Sequence, residues 1–542
     1  MTPLTGRRWW WAVSGLALLA LLLRLPTAGE QGFWLDEVYS ARLVEQGLGH
    51  AWSTVPLTEN TPPLYYLLAW FWTQATGVSE LGLRSFSAVV GSIAVIPTAL
   101  VARRLATPSA GLAAGLLLAV NPFAQWMGQE ARTYSLTILL GACAWLALVA
   151  ALQRPDARRA WLWALAAAAL TWTHYFGGFL LGLGGLLLFG DAWRRGRGVA
   201  VRPLVAPIVA SLVAALALAP IASEQNSLGR SGGIAEGKSL LTRVIEQPKQ
   251  FPLGYNGPLE ELLGAFGAAV MAALVVLALL RRRGDRAAPA AEPATGPAEP
   301  AVATAVVEPG LAADPIRLRR VLAAAGTLVA VIPIALTVVG FDVVLARNVI
   351  FLLPLLVALV AAGALRAVSG EVGRIAGRSP RVPVVVATTT LIAVSLITIV
   401  AVAVDPQYQR DDWRGALRQS RAAGPQLIAV IPYQDMPPAY YRPASRPFRM
   451  PPGGVAVRSL AVVDRPPDAN SQAPALVDPT PSPPAPGFRL LRVDRDARFR
   501  VYVWQSPTPV VLGQAQIDAM PAGGARTLLL DPTGGLPAAA GR

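Results

Sequence analysis

The sequence predicts a polytopic α-helical membrane protein that ends in a small soluble module. Hydrophobic residues make up 54% of its 542 residues and charged residues only 15%, a balance far from that of ordinary globular domains. Apolar runs long enough to cross a bilayer recur as far as Val404, and the composition then becomes polar. Residues 405–542 are therefore predicted to form a separate α/β or mixed module outside the membrane.

Membrane spans are predicted wherever about 20 mostly apolar residues follow one another. The first apolar run follows Arg7 and Arg8, and no small-residue cleavage site comes after it. We therefore interpret this run as an uncleaved span and not as a signal peptide. The sequence predicts eleven spans, at about 9–27, 84–102, 110–127, 133–153, 159–173, 175–191, 203–222, 259–280, 320–340, 348–366 and 382–404.

Arginine predicts the orientation, because short cytoplasmic loops carry an excess of Lys and Arg. Loops on the other side carry single arginines such as Arg42, Arg132 and Arg347. A plasma-membrane protein with a cytoplasmic N-terminus and an extracytoplasmic C-terminal module is predicted. The basic clusters assigned to the cytoplasm are Arg103 and Arg104; Arg154, Arg158 and Arg159; Arg194, Arg195, Arg197 and Arg202; Arg281 to Arg283 and Arg286; Arg317, Arg319 and Arg320; and Arg366, Arg374, Arg378 and Arg381.

Residues 28–83 are predicted to form one long outer loop that contains an interfacial helix. The stretch from Pro62 to Trp72 is apolar and aromatic, so it is read either as a span or as a helix on the membrane surface. If it crossed the membrane, every later basic cluster would change sides. Paired prolines suit a helix start, and Trp and Tyr suit the headgroup level. The surface position is therefore predicted.

Three further segments complete the organisation. Residues 286–316 are rich in Ala, Pro and Glu and lack aromatic residues, which is typical of a disordered linker. In the C-terminal module, residues 427–431 and 499–504 have the composition of β-strands. The tail after about Pro532 is expected to be disordered.

Composition also excludes some classes of function. The formal net charge of +15 does not indicate nucleic-acid binding, because the arginines lie in small groups between apolar runs. Cys143 is the one cysteine, so an intramolecular disulfide is excluded. The sequence contains no phosphate-binding glycine loop and no metal-spaced Cys/His cluster. Function is therefore expected from polar residues at the ends of the spans.

Ionisable residues are costly near a membrane, so those at the predicted outer ends of spans are candidates for function. Four outer loops contribute acids, a base and cations at a similar depth, as in a site assembled from separate helices. These candidates are Asp36 and Glu37; Gln129, Glu130, Arg132 and Tyr134; His174 and Tyr175; and Arg347 and Asn348.

Each candidate has a structural alternative. Arg132 is equally placed to pair with Glu130, and Arg347 is equally placed to extend to the lipid headgroups. His174 is as consistent with a hydrogen-bonded structural role as with catalysis. Arg24 is interpreted as an anchor at the outer end of the first span.

Motifs on the predicted outer side resemble, in type and in order, the GT-C membrane glycosyltransferases. The resemblance is to glycosyltransferase family 39, which contains protein O-mannosyltransferases and lipid A aminoarabinose transferases. It covers about residues 8–222 well and the later spans loosely. The motifs are Asp36-Glu37, Pro62-Pro63-Leu64-Tyr65-Tyr66, Arg84, Gln129-Glu130-Ala131-Arg132-Thr133-Tyr134 and Thr173-His174-Tyr175-Phe176, followed by Arg347-Asn348 to Pro354 and by Asp412-Trp413-Arg414.

The resemblance implies a polyprenyl-phosphate-linked sugar as donor, mannose- or arabinose-like, and a hydroxyl on a protein, lipid or polysaccharide as acceptor. It implies a catalytic role for Asp36, with Glu37 beside it and Glu130 as the second-loop acid. A divalent cation held by these acids is left open. The residues expected to contact substrate are Arg132, Tyr134, His174, Tyr175, Arg347, Tyr65 and Tyr66.

One position departs from the family. The aminoarabinose transferases have a lysine just before the paired prolines, whereas this chain has Thr61. The charge that binds the donor phosphate is therefore expected to come from Arg132 or Arg347.

The chemistry of the reaction suits the same residues. Displacing a lipid phosphate from a sugar needs a base for the acceptor hydroxyl and a cation for the departing oxygens. A single displacement, which inverts the anomeric carbon, needs only one positioned base. The alternative class is a transporter of lipid-linked sugars. Such proteins usually carry mid-span ionisable residues and inverted repeats, and neither is evident in this sequence.

Overall fold

A computed structural model describes residues 6–196, 198–229, 239–281, 310–375, 377–432, 434–464, 481–495, 498–520 and 526–533. The chain divides into two compact units. The helical unit comprises Met1–Pro26, Leu43–Gly77 and Leu83–Val400. The sheet unit comprises Thr27–Arg42, Val78–Gly82 and Ala401–Arg542.

The secondary structure is mainly helical as far as Val404. The α-helices are α1 Gly6–Arg24, α2 Leu35–Glu45, α3 Leu48–Thr58, α4 Leu64–Thr76, α5 Glu80–Ile93, α6 Val95–Leu105, α7 Pro108–Ala119, α8 Pro122–Gly128, α9 Tyr134–Gln153, α10 Ala157–Thr173, α11 Gly177–Gly196, α12 Gly198–Leu216, α13 Ala219–Ser227, α14 Leu240–Leu253, α15 Glu260–Leu279, α16 Pro315–Val338, α17 Leu353–Val368, α18 Arg381–Val404, α19 Trp413–Gln419, α20 Met436–Tyr441 and α21 Gln514–Asp518. Short 3₁₀ helices lie at Leu311–Ala313, Ala346–Leu352 and Pro406–Tyr408. The strands are β1 Gln426–Val430, β2 Arg446–Phe448, β3 Val455–Asp464, β4 Arg489–Arg495, β5 Arg500–Leu512 and β6 Thr527–Asp531.

Helices lie at all the positions where spans are predicted. Among the described residues, seven helices are long and apolar enough to cross a membrane, or eight if the bent pair α7 and α8 is one span. A multi-pass membrane protein is therefore supported, while the count of eleven stays a prediction.

The bend between α7 and α8 is 57°. Pro122 starts α8, and the residue before a proline is disfavoured in the helical conformation. Asn121 instead takes an extended conformation, and its side chain accepts a hydrogen bond from the Ala124 N–H at 2.9 Å. This cap starts α8 in a new direction and leads the chain into the turn at residues 129–133.

Helix α4 has 13 residues, or about 20 Å at 1.5 Å per residue, which is too short for a hydrocarbon core of about 30 Å. It packs near the start of α5, where Tyr65 lies 3.4 Å from the Ser87 hydroxyl and the Trp72 indole donates to Ser85 at 2.9 Å. Its position at the membrane surface stays a prediction.

Contacts between loops define two ends of the helical unit. At the end that carries Tyr65, Tyr66, Tyr134 and Tyr175, hereafter the tyrosine-rich end, the Gln129 side chain donates to a backbone oxygen of the first helix at 2.8 Å. The loops joined at this end are those that the arginine distribution predicts to lie outside the membrane.

The opposite end of the helical unit is the arginine-rich end, formed by the loops near residues 103–109, 153–157, 279–281, 310–320 and 366–371. Arg104 donates to the Gln153 side chain at 3.0 Å, and Arg319 donates to the Leu105 carbonyl at 2.9 Å. These loops are those predicted to be cytoplasmic. Which end faces the cytoplasm stays a prediction.

The predicted linker 286–316 falls mostly outside the described residues. Its last residues are described, and they are folded. The Leu311 N–H donates to Asp191 at 2.6 Å, and α16 begins at Pro315. The predicted boundary at 316 is therefore too far along the chain, because Asp314 caps α16 and Pro315 occupies its first turn. Most of the predicted tail, residues 534–542, also lies outside the described residues.

The described residues of the sheet unit form a six-stranded sheet in the order β2-β6-β1-β3-β5-β4. Strand β1 is parallel to β3 and antiparallel to β6, so the sheet is mixed. All five residues of β1 are buried, as expected for a central strand. The predicted strands 427–431 and 499–504 lie on β1 and β5. The extracytoplasmic position of the module stays a prediction.

Close helix packing in the helical unit depends on small residues, as is common in membranes. Gly363 of α17 lies against the backbone of α15, where an added Cβ atom would overlap the carbonyl oxygen of Leu274. Gly182 of α11, by contrast, has open space around its Cα atom.

We expect Gly363→Ala to lower the unfolding temperature of the detergent-purified protein by several degrees, because α15 and α17 must move apart. Gly182→Ala is the matched control, and a helical Gly→Ala change there should be neutral or stabilising by roughly 0.5–1 kcal/mol. The unfolding temperature of each variant is measured by heating the protein and determining the folded fraction by size-exclusion chromatography. Equal unfolding temperatures for the two variants would contradict this packing.

Candidate active site

A buried ion pair joins the first long loop to the turn before α9. Arg132 Nη1 lies 2.7 Å from Glu59 Oε2, and the two side chains are 5% and 2% exposed. Glu59 follows the last residue of α3, and the Arg132 N–H donates to the Glu130 carbonyl at 2.8 Å. Removing two charges from water is costly, so a buried pair is weak evidence for stability and is often kept for specificity or function.

Tyr66 extends this ion pair into a hydrogen-bonded cluster. Its hydroxyl donates to Glu59 at 2.6 Å and lies 2.9 Å from the Thr61 hydroxyl. Burial raises the pKa of Tyr66 well above its usual value, so the hydroxyl stays protonated. Tyr65 and Tyr66 are both fully buried, and their predicted contact with substrate stays a prediction. Thr61, at the position of the family lysine, is held within this cluster.

A second group brings together three predicted residues from distant parts of the sequence. Tyr134 starts α9, and its ring lies 6.3 Å from that of His174 between centroids. The Arg347 guanidinium lies 5.9 Å from the centroid of the Tyr134 ring, a cation–π distance. His174 is 5% exposed. Burial, and then the charge of Arg347, lower the pKa of His174 to about 4, so the imidazole is neutral at pH 7.

Tyr175 is tied to a glutamine that the sequence analysis did not single out. Its hydroxyl donates to Gln225 Oε1 at 2.7 Å. The Gln225 amide in turn donates to the carbonyl oxygens of Val55 and Thr61 at 3.3 and 3.2 Å. Tyr175 and Gln225 therefore fix α13 against the loop that carries the Glu59–Arg132 pair.

Glu130, the predicted second acid, lies in the turn between α8 and α9 and is 2% exposed. Burial at this position, two residues before Arg132 in the chain, keeps it among the candidates for function.

The adjacent carboxylates Asp36 and Glu37 belong to the sheet unit and differ in their surroundings. Both lie in the first turn of α2, where the helix dipole favours negative charge. Glu37 is fully buried and accepts the Trp34 N–H at 3.3 Å, as in one half of a capping box. Asp36 is partly exposed. The structure therefore assigns Glu37 a capping role and leaves Asp36 as the more accessible acid.

The segment that leads to Asp36 is held by residues near the end of α18 and in the sheet unit. Asp412 accepts the Gly32 N–H at 2.9 Å, and the Tyr441 hydroxyl accepts the Phe33 N–H at 2.5 Å. Arg414 donates to the carbonyl of Glu30 at 2.6 Å. The Asp412-Trp413-Arg414 motif thus positions the approach to α2.

Within the described part of the chain, no three His, Cys, Asp or Glu side chains are grouped closely enough to hold a metal ion. The sequence analysis left open a divalent cation held by the predicted acids, and these residues are therefore not assigned as its ligands.

The structure places the predicted residues in two units. In the helical unit, it brings Tyr134 together with His174 and Arg347, and it connects Arg132 to Tyr66. Glu59 and Gln225 are partners of these residues that the sequence analysis missed. One local feature of the sequence pointed to Glu59: its carboxylate lies two residues before Thr61, the position of the family lysine. That feature is weak by itself.

Residues 60–223 match the family model of the dolichyl-phosphate-mannose-protein mannosyltransferases. The resemblance predicted from the sequence is confirmed. The matched segment contains seven of the predicted site residues: Tyr65, Tyr66, Glu130, Arg132, Tyr134, His174 and Tyr175. No curated protein matches the chain in sequence.

Solved structures show a similar fold. ArnT from Cupriavidus metallidurans in the apo state is 14% identical, with a TM-score of 0.51 over 91% of this chain and 97% of that chain. The same protein bound to undecaprenyl phosphate has a TM-score of 0.48 at 14% identity, with the same coverage. The fold is therefore GT-C-like.

The oligosaccharyltransferase of Archaeoglobus fulgidus, solved with a tethered acceptor peptide, is 14% identical with a TM-score of 0.44, over 77% of this chain. This chain spans 57% of the length of that protein.

We expect Glu59→Gln to destabilise the protein strongly, because it removes one charge of a buried ion pair. Breaking a buried pair from one side typically costs about 3–5 kcal/mol. Glu224→Gln, at an exposed position on α13, is the matched control. Thermal unfolding in detergent measures both variants.

The double variant Glu59→Gln/Arg132→Gln should be more stable than Glu59→Gln alone, because it removes both charges of the buried pair. A single variant as stable as the Glu224→Gln control would show that the pair is not formed in solution.

Proposed function

We propose that the protein is a membrane glycosyltransferase that moves a mannose- or arabinose-like sugar from a polyprenyl-phosphate donor to a hydroxyl group at the outer face of the membrane. The family match over residues 60–223, which includes Tyr66, Arg132 and Tyr175 of the tyrosine-rich end, carries this proposal. The donor class is supported by ArnT, which has been solved with undecaprenyl phosphate. The acceptor is a protein, lipid or polysaccharide.

Binding of the donor phosphate is assigned to Arg347 and Arg132. Arginine presents a planar fork of N–H groups that suits phosphate oxygens. The Arg347 guanidinium lies 5.9 Å from the centroid of the Tyr134 ring. Thr61 carries no charge, and His174 with a pKa of about 4 adds none at neutral pH. Arginine is therefore the source of positive charge among these residues.

Asp36 is assigned as the general base. In the proposed step, Asp36 takes the proton of the acceptor hydroxyl while the hydroxyl oxygen attacks the anomeric carbon. The bond from that carbon to the phosphate oxygen breaks, and its electron pair leaves with the polyprenyl phosphate, whose charge the arginines stabilise. One displacement inverts the anomeric centre. Glu37 positions α2, and Glu130 is assigned a supporting role beside Arg132.

We expect Asp36→Asn to lower turnover by about 10²–10⁴-fold, the usual loss for a general base, while donor affinity stays nearly unchanged. Glu45→Gln on the same helix is the matched control, since its side chain is exposed. The assay supplies purified protein with polyprenyl-phosphate sugars and follows release of free polyprenyl phosphate.

Two outcomes of this assay would overturn the proposal. Turnover of Asp36→Asn close to that of the control would remove Asp36 from catalysis. Movement of lipid-linked sugar across vesicles by the parent protein, without release of polyprenyl phosphate, would favour a transporter. Loss of activity on chelation, matched by loss in Asp36→Asn, would assign a divalent cation to this acid.

We expect Arg347→Ala to raise the KM for the donor, because the guanidinium that contacts the leaving phosphate is removed. Arg347→Lys should restore only part of the affinity, since an ammonium lacks the planar fork. Arg202→Ala, at an exposed position on α12, is the control. Donor kinetics unchanged in both Arg347→Ala and the double variant with Arg132→Ala would exclude these arginines.

A further inference from the structure

A cavity of about 840 Å³ opens at the arginine-rich end of the helical unit. The start of α7, the start of α16 and the end of α17 line it, and three arginines contribute to its wall: Arg281, Arg319 and Arg366. Sites for small molecules and headgroups usually occupy roughly 300–1,000 Å³. The cavity is therefore large enough to bind a ligand.

The charges in this cavity are unequally compensated. Arg281 pairs with Asp314, and Arg366 lies 3.3 Å from Glu371. Arg319 is 5% exposed, and its hydrogen bond to Leu105 leaves the charge without an ion pair among the described residues. The buried Nε atom of Arg319 also has no hydrogen-bond partner there. Asp314 and Glu371 also line the cavity, so its wall carries three arginines and two carboxylates. A buried guanidinium that donates to neither carboxylate favours an anionic ligand.

The start of α7 adds to this positive potential. Its cap, Thr107, is neutral, and its first turn contains no acidic residue, so the positive end of the helix dipole is not compensated. Ser109, in that first turn, lines the cavity and offers a hydroxyl. The start of α16 differs, because the carboxylate of Asp314 already accepts its first N–H groups.

The cavity is separate from the site of the proposed transfer reaction. Helix α17 starts near Arg347 and ends at the cavity, and its 16 residues span about 24 Å at 1.5 Å per residue. Apolar side chains, among them Ile316 and Leu365, form much of the remaining wall. A ligand with both a phosphate and an apolar part fits this lining better than a free ion.

We propose that the cavity binds the phosphate group of an anionic phospholipid, with Arg319 and Ser109 as its contacts. The arginine distribution predicts that this end faces the cytoplasm, and the cytoplasmic leaflet is rich in anionic lipid. The bound phospholipid joins α7, α16 and α17 and stabilises the folded bundle.

The test uses the full-length protein in a non-ionic detergent. Thermal unfolding is followed during titration with short-chain phosphatidylglycerol, with phosphatidylcholine of the same chains, and with inorganic phosphate. A ligand that binds only the folded state raises the unfolding temperature with its concentration. We expect phosphatidylglycerol to do so, and the other two compounds not to.

Arg319→Gln should weaken phosphatidylglycerol binding about tenfold or more. Arg317→Gln, at an exposed position on the same helix, removes the same charge and should bind as the parent does. Because Arg319→Gln also loses the bond to Leu105, a second variant is needed. Ser109→Glu puts an acid in the first turn of α7, which favours the helix but repels a phosphate, and it should abolish the stabilisation.

The outcomes separate the sources of the phosphate. If inorganic phosphate stabilised the protein equally, the proposed phospholipid would be wrong, and the ligand would be a soluble phosphate compound. If phosphatidylcholine stabilised the protein equally, the cavity would not distinguish an anionic headgroup from a zwitterionic one, and the proposal would be wrong. Unchanged phosphatidylglycerol binding in Arg319→Gln and Ser109→Glu would overturn the site altogether.

Discussion

The tyrosine-rich end of the helical unit depends on the ion pair between Glu59 and Arg132. This pair forms one end of a chain of hydrogen bonds that joins four separate stretches of sequence. All of these groups except Tyr175 are buried, so each needs its neighbour as a hydrogen-bond partner. The loss of one member leaves the others with a desolvation cost that no hydrogen bond offsets. The members, in order of contact, are Arg132, Glu59, Tyr66, Thr61, Gln225 and Tyr175.

Span positions and helix starts follow from local sequence, whereas the partners within the site do not. Apolar length and the Asn121-Pro122 and Asp314-Pro315 starts are visible in a few adjacent residues. Glu59 and Arg132 are 73 residues apart, and no period or spacing links them. The Pro62 stretch shows the same limit. Its tyrosines suggest a position at the headgroup level, yet Tyr66 is buried and its hydroxyl donates to Glu59.

The adjacent acids of α2 show how one structural detail separates residues that look alike in sequence. A helix that starts at Leu35 turns Glu37 back to the Trp34 N–H and leaves Asp36 partly exposed. The sequence carried only part of this signal, a glutamate at the third position of the helix, because Trp34 at the cap is not a typical capping residue. It was not decisive, because the start of the helix depends on contacts of Gly32 and Phe33 with residues near 412 and 441.

The low pKa of His174 has a consequence for the surroundings in which the protein works. A histidine that stays neutral down to a pH of about 4 cannot report acidification of the medium, although histidine is the side chain most suited to do so. Arg132 and Arg347 keep their charge at any physiological pH. Under the proposed function, the positive charge offered to a donor phosphate therefore comes from the two arginines and does not depend on the protonation of His174.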